Sequence, residues 1–531
     1  MWKPHSLSAA LALIFALAFA AGCTTTPYHP PLDDDDVGVG EDAEHDAEHD
    51  AEHDAEEDNE NGDQPVSSDP APAPVLLEVG DDGFLLRGTV LAAQGVLDEG
   101  EVLVEGALIT CVDVDCSADA AGLDLTLIET DGVISPGLID AHNHLPYNFL
   151  PPWNPPTGEI FSNRYEWADE DDYRDHIRPY AKYRNHGTHY CPAAKWGELR
   201  SLVHATTTIQ GQSFQQRCVD WAVRNADHYH GLQHNHMRTT IASARDISEA
   251  QAQNYIDSFV ADNNPTTRLA IHMTEGVEGR GIEEEFQAFA DLALLEYGTA
   301  LLIHSVTLNG AQREMVALTN SRIVWSPSSN FHLYGYGNTA PIEEILELGI
   351  TTAIGPDWTL SGAFDMLEEM RVAYDYGQHL EIDALTAHQI WKMATVDGAE
   401  AVGLEDFIGQ LAPGYHADIA VFGRTSADPY QAVLDSRSED MELVLIDGHA
   451  YFGSAELDGV GRNDYCEEFD ACGQAKFICV KDSPTADARG DERLVDIRQQ
   501  LFDILEGTED SPPDEQYGRG HELLELVICG F

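Results

Sequence analysis

The stretch PGLIDAHNH, residues 136–144, joins a short apolar run to a cluster of polar side chains. On an extended strand, residues i and i+2 point to the same side, so His142 and His144 aim together at whatever lies beyond the strand's end. A lone His-x-His is a weak signal, but the arrangement recurs downstream. RLAIHM (268–273) carries His272, with Glu275 three residues on; TALLIH (299–304) ends on His304; TTAIGPD (351–357) ends on Asp357. Each of these side chains can bind a metal or a proton, and each closes an apolar, strand-like run. Helical stretches such as IEEEFQAFADLALLEYG and PIEEILELG separate the later runs. Alternating β and α segments over this length predict an α/β fold, a parallel (β/α)₈ TIM barrel, whose active site forms at the C-terminal ends of the strands. Seven runs are clear, at 133–144, 206–211, 238–243, 268–273, 299–304, 322–330 and 351–357; the eighth is expected within 243–268.

Strand-rich sequence brackets this region. Short strands and turns fill 76–134 and return over 408–455 in ADIAVFG and ELVLIDGHAYFG, leaving the barrel at 135–407. Residues 456–531 form a Cys-bearing extension with one helical run, LVDIRQQLFDIL.

Taken together, PGLIDAHNH, IHMTE, LLIHS, AIGPD and the closing MATVDGAEAVGL…IGQLAPGYHADIAVFG resemble the amidohydrolase superfamily of metal-dependent hydrolases, over about residues 80–455. The resemblance implies a distorted barrel with a β-sandwich built from the two flanking segments, 76–134 and 408–455. It matches His142 and His144 to the first-strand metal ligands, His272 to the fifth-strand ligand, His304 to the sixth-strand histidine and Asp357 to the eighth-strand aspartate. Glu275 matches the glutamate of the deaminase and chlorohydrolase branch. In two-metal members a carboxylated lysine at a strand end usually bridges the ions. Between 130 and 430 only Lys182, Lys195 and Lys392 occur; the last two sit in helical contexts and Lys182 in an irregular one. One metal per chain is therefore expected, bound by His142, His144, His272 and Asp357. Three nitrogens and a carboxylate suit Zn²⁺, and Fe²⁺ also fits.

The function implied is hydrolysis of a non-peptide carbon–nitrogen bond in a small molecule by a metal-activated water, as in a deaminase or cyclic amide hydrolase. Asp357 and His304 orient or deprotonate the water, and Glu275 carries the proton to the leaving nitrogen or the ring. The rival readings are a binuclear hydrolase of dipeptides, cyclic imides or esters, and a non-catalytic ligand-binding lipoprotein. Tyr147, Trp153, Tyr334 and Trp358 either wall a pocket for a flat substrate or pack as ordinary loop residues. His228, His230, His234 and His236 form a second cluster, read as surface or capping residues.

The chain has 531 residues, with 94 acidic against 28 basic side chains and a net charge of −66. That balance excludes a nucleic-acid binder that neutralises phosphates. Residues 33–69 alone hold 18 Asp and Glu and no Lys or Arg. DDDD and three DAEH repeats there bury nothing and repel one another, so 23–75 reads as an extended tether; His45, His49 and His53 either scavenge metal or simply solvate it. The opening MWKPHS-LSAALALIFALAFAAGC resembles a bacterial lipoprotein signal over 1–22, with small residues before Cys23. That implies lipid on Cys23 and an exported chain anchored to the cell envelope. Eight further cysteines, an even number, suit disulfides in an exported protein. Cys111 with Cys116 and Cys191 with Cys218 are candidate pairs, and Cys466, Cys472, Cys479 and Cys529 are expected to staple the C-terminal extension. The sequence does not specify an oligomeric state.

Overall fold

A computed structural model describes residues 73–155, 158, 160–181, 190–211, 221–228, 232, 237–262, 265–481, 492–506 and 522–530. The leader, Cys23, the tether, Lys182, Cys218, His230, His234 and His236 lie outside the described residues.

Among the described residues eight strands run parallel: β1 Leu138–Asp140, β2 Thr206–Ile209, β3 Arg224–Asn225, β4 Met237–Thr240, β5 Arg268–Met273, β6 Ala300–His304, β7 Arg322–Trp325 and β8 Thr352–Ile354. They form two sheets, β1-β2-β3 and β4-β5-β6-β7-β8. The outer strands β8 and β1 approach each other at their C-terminal ends, where Ala141 N donates to Ile354 O at 3.2 Å and Asn143 bridges Asp357. Every residue of β5 to β8 is buried. This is why these runs read as unbroken Val, Ile, Leu and Ala rather than as an alternating pattern: both faces of a parallel sheet are covered.

The eighth strand is Arg224–Asn225, not a segment of 243–268, which holds a 3₁₀ turn at Ala244–Asp246 and a helix at Glu249–Phe259. Two polar residues carry no hydrophobic signature. Arg224 is nonetheless buried, because Asp418 accepts from its Nε (2.6 Å) and Nη2 (3.0 Å), and Asp447 pairs with it as well. The run 322–330 is not one extended segment. The strand stops at Trp325, and Pro327 opens a helix through Tyr334, at a first-turn position where its missing N–H costs nothing.

The flanking strands join in one ten-stranded sheet. Its order is Glu467–Ala471, Gln474–Ile478, His449–Ser454, Met441–Ile446, Ile419–Phe422, Leu125–Pro136, Gly83–Ala92, Gly95–Glu105 and Leu108–Asp113, with Val75–Glu78 also on Leu125–Pro136. The seam between the two flanks is antiparallel, Ile419 facing Pro136 and Phe422 facing Val133. The C-terminal extension adds its two strands to the same sheet and a helix, Leu494–Glu506, that packs on the helix Tyr190–Val203. Disulfides join Cys111 to Cys116, Cys466 to Cys479 and Cys472 to Cys529. Cys191 is also disulfide-bonded.

Candidate metal centre and active site

The ends of β1, β5, β6 and β8 deliver their polar side chains to one place. Imidazole centroids lie 4.9 Å apart for His142 and His272, 5.1 Å for His142 and His144, and 5.4 Å for His272 and His304. Asp357 Oδ1 is 3.1 Å from His142 Nε2 and 3.2 Å from His144 Nε2. Glu275 Oε2 is 3.6 Å from His304 Nε2. His142, His272, His304, Glu275 and Asp357 are buried, whereas the His144 side chain is 27% exposed and marks the open side. His304 and Asp357 adopt positive φ, +66° and +70°, a conformation non-glycine residues rarely take, and both do so where a strand turns its last side chain inward. All six predicted site residues in the described part of the chain are thus brought together.

A ring of polar residues orients them. Gln210 Nε2 donates to Asp227 at 3.1 Å and to Thr239 at 3.1 Å, leaving its Oε1 to accept from His142 Nδ1 at 3.2 Å. The lone pair of His142 then lies on Nε2. Asn330 Nδ2 donates to Thr339, so Asn330 Oδ1 accepts from His304 Nδ1 at 3.0 Å and frees that ring's Nε2. Ser329 donates to Asp357 Oδ2 at 2.7 Å, and Tyr334 donates to Glu275 Oε1 at 2.6 Å. The sequence reading did not assign Gln210, Ser329 or Asn330. Gln210 was accessible by the same strand-end argument, as the polar residue closing TTTI; the other two were hidden by reading 322–330 as extended.

The aromatic candidates separate. Trp358 packs 4.9 Å from His144, and Tyr147 meets Trp358 edge-on at 5.4 Å; both side chains are buried. Trp153 turns away, donating to Asp172 and packing on Tyr173. Tyr334 is fully buried beneath Glu275 and accepts from Trp167 Nε1, so it is a support for the carboxylate and not a pocket wall.

Burial sets the protonation states. It pushes Glu275 up to about 7, against the pull of Arg164 and the Tyr334 hydrogen bond. It pushes His304 down to about 3, and, reinforced by the charges of His142 and Arg164, it holds His272 well below the ordinary histidine range. Both rings are therefore neutral, which leaves His272 free to bind a metal and His304 free to accept a proton. Burial would also raise Asp357, but the imidazoles of His142 and His144 beside it outweigh burial and keep the carboxylate ionised. The donor set fits a divalent ion on a specific observation. His142 Nε2, His272 Nδ1, His304 Nε2 and Asp357 Oδ1 are buried without a hydrogen-bond partner, a rare and costly state for polar atoms unless an ion completes them. His142, His144, His272, His304, Glu275 and Asp357 are also the only residues that form metal-capable triads among the described residues.

A parallel α/β framework with four histidines and two carboxylates gathered at its strand ends is the arrangement expected of a metal-dependent hydrolase. The model of the amidohydrolase family matches residues 186–450. The 5-methylthioadenosine/S-adenosylhomocysteine deaminase of Desulfitobacterium hafniense is 27% identical over 448 residues, covering 72% of this chain and 96% of its own. The 5′-deoxyadenosine deaminase of Methanothermobacter thermautotrophicus is 22% identical over 71% of this chain and 95% of its own. Two solved structures share the fold at 18% identity: an adenosine deaminase from Xanthomonas campestris with bound zinc (TM-score 0.52, 70% of this chain and 93% of that one) and a variant of the Arthrobacter aurescens atrazine chlorohydrolase with zinc and atraton (TM-score 0.56, 69% and 95%). These findings support membership of the amidohydrolase superfamily.

Proposed function

We propose that the protein is a zinc-dependent deaminase of 6-aminopurine nucleosides. At the coarser level the assignment is direct: the chain is an enzyme that hydrolyses non-peptide carbon–nitrogen bonds. The observation that carries the deaminase reading is Glu275, a buried carboxyl held by Tyr334, facing His304 beside the metal-capable cluster and raised by burial to about 7. Deamination needs a group that takes a proton from water and returns it to a ring or leaving nitrogen, and a pKa near ambient pH suits both transfers. The aminopurine class comes from the curated relatives, which cover most of this chain.

His142, His144, His272 and Asp357 would hold one Zn²⁺, which when bound supplies an acidified water. Asp357 and His304, whose Nε2 is left free by Asn330, would orient this water. Glu275 would take a proton from it and return that proton to the departing nitrogen. Trp358, 4.9 Å from His144, places an aromatic ring beside the cluster, against which a planar substrate ring would pack. The lysine-bridged two-metal alternative finds no support among the described residues: Lys195 pairs with Glu492 and Lys392 with Asp397, both on helices. The reading also includes closure of β1 to β8 into a barrel, packed against the flanking sheet as the second layer of the fold. The disulfides and the Cys23 leader support an exported, lipid-anchored protein.

The test is ammonia release by the zinc-loaded protein from adenosine, 5′-deoxyadenosine, 5′-methylthioadenosine and S-adenosylhomocysteine. Turnover of at least one is expected. A protein that binds one zinc yet deaminates none of the four would sink the aminopurine reading.

A further inference from the structure

The C-terminal extension touches the site's scaffold at a definite point. Residues 523–526 lie along the helix Tyr190–Val203, with Leu523, Leu524 and Leu526 buried. Leu524 N donates to Phe149 O at 3.0 Å, and Trp196 Nε1 donates to Leu524 O at 2.8 Å. Arg200, 2% exposed, spends its guanidinium on main-chain oxygens: Nη2 on Leu524 (3.0 Å) and Glu525, Nη1 on Leu526 (3.5 Å), and Nε on Asn148 (3.3 Å). A buried arginine bonded only to carbonyls is costly to hold, so its role is to fix the backbone it touches.

That backbone leads directly to the cluster. Asn148 Nδ2 donates to Asn143 Oδ1 at 2.8 Å, and its Oδ1 accepts from Thr359 N at 3.3 Å. Asn143 Nδ2 donates to Asp140 Oδ2 at 2.6 Å, and Asp140 Oδ1 accepts from His142 N at 3.1 Å. Thr359 lies two residues past Asp357, whose backbone exchanges hydrogen bonds with His142 O (3.0 Å) and His144 N (2.6 Å). Asn148 therefore clasps the His142–His144 segment to the Asp357 turn, and the 523–526 segment holds Asn148 through Arg200 and Phe149. The Cys472–Cys529 disulfide fastens the segment to the flanking sheet.

We infer that residues 523–526 are a disulfide-fastened strap that positions the metal-binding loops, with Asn148 and Arg200 as its positioning residues. The inference rests on the metal-centre reading and not on the choice of substrate. It predicts a retention effect: outer partners of metal ligands typically change affinity by about 10- to 100-fold. The experiment measures the rate of zinc loss to a chromogenic chelator, together with the zinc-free melting temperature. It compares wild type, the Cys472→Ser/Cys529→Ser pair, Asn148→Asp, and all three substitutions combined. Asn148→Asp replaces the donor to Asn143 with an acceptor and needs no change of fold. Zinc loss about 10-fold faster in the cysteine pair and in Asn148→Asp, with no further acceleration in the combined variant, is the expected result. Independent, multiplicative effects would show that the strap does not act through Asn148 and would overturn the inference. So would an unchanged rate in the cysteine pair when the wild type holds one zinc. A wild type that takes up no zinc would overturn the metal centre itself, and the strap's role with it.

Discussion

At the scale of single residues, the site is a set of atoms whose ordinary partners have been withheld. Glu275 is the clearest case, because burial brings its carboxyl up to about 7 against the pull of Arg164 and Tyr334. Glu275→Gln keeps the Tyr334 contact and removes the exchangeable proton. Its kcat is expected to fall by about 100- to 10,000-fold with zinc content unchanged by elemental analysis. Gln210→Leu should do the opposite. It removes the acceptor that fixes the His142 tautomer, so zinc affinity drops by about 10- to 100-fold in a competition titration. These residues differ in how legible they were. His142, His144, His272, His304 and Asp357 announce themselves because each closes an apolar run, and apolar runs are what sequence shows best. Gln210 and Asn330 are neutral amides, which mostly serve loops and caps; their significance lies in which way they are held, and that depends on Asp227, Thr239 and Thr339 reaching them from elsewhere in the fold.

At the scale of elements, the helix Pro327–Tyr334 carries much of the site's support. Ser329 holds Asp357, Asn330 holds His304, and Tyr334 holds Glu275, so one short helix sets three strand-end residues. Tyr334→Phe leaves the ring packed but deletes the hydrogen bond that favours the Glu275 carboxylate. Glu275 should then titrate above 7, so the fraction able to accept a proton at a given pH falls. The acid limb of the kcat/KM profile should move to higher pH; an unmoved limb would mean that another group sets it. The long parallel strands were legible for the same reason as the histidines. The two-residue strand Arg224–Asn225 was not, since its place depends on a buried arginine meeting Asp418 about two hundred residues on, which no local pattern encodes.

At the scale of the whole molecule, charge dominates. With a net charge of −66, acidic side chains repel across most of the surface. At low ionic strength that repulsion acts over tens of ångströms, and at 0.1 M salt over only about 10 Å. The melting temperature of residues 73–531 should therefore rise as KCl is added from a few millimolar upward. A flat response would mean that the acidic groups are spaced too widely to destabilise the fold. The composition made this property plain, but not the way the two flanks meet.

The meeting of the flanks sets an order of assembly. The strand Leu125–Pro136 finds its neighbour Ile419–Phe422 only after the intervening chain has been synthesised. Until then one edge of its sheet is unpaired, and the parallel layer lacks the Arg224–Asp418 pair that joins it to that sheet. Closing so long a loop is slow, and the contacts that reward it come last. A growing chain of this kind remains open and threadable for most of its synthesis, and it becomes a finished molecule only when its final third arrives.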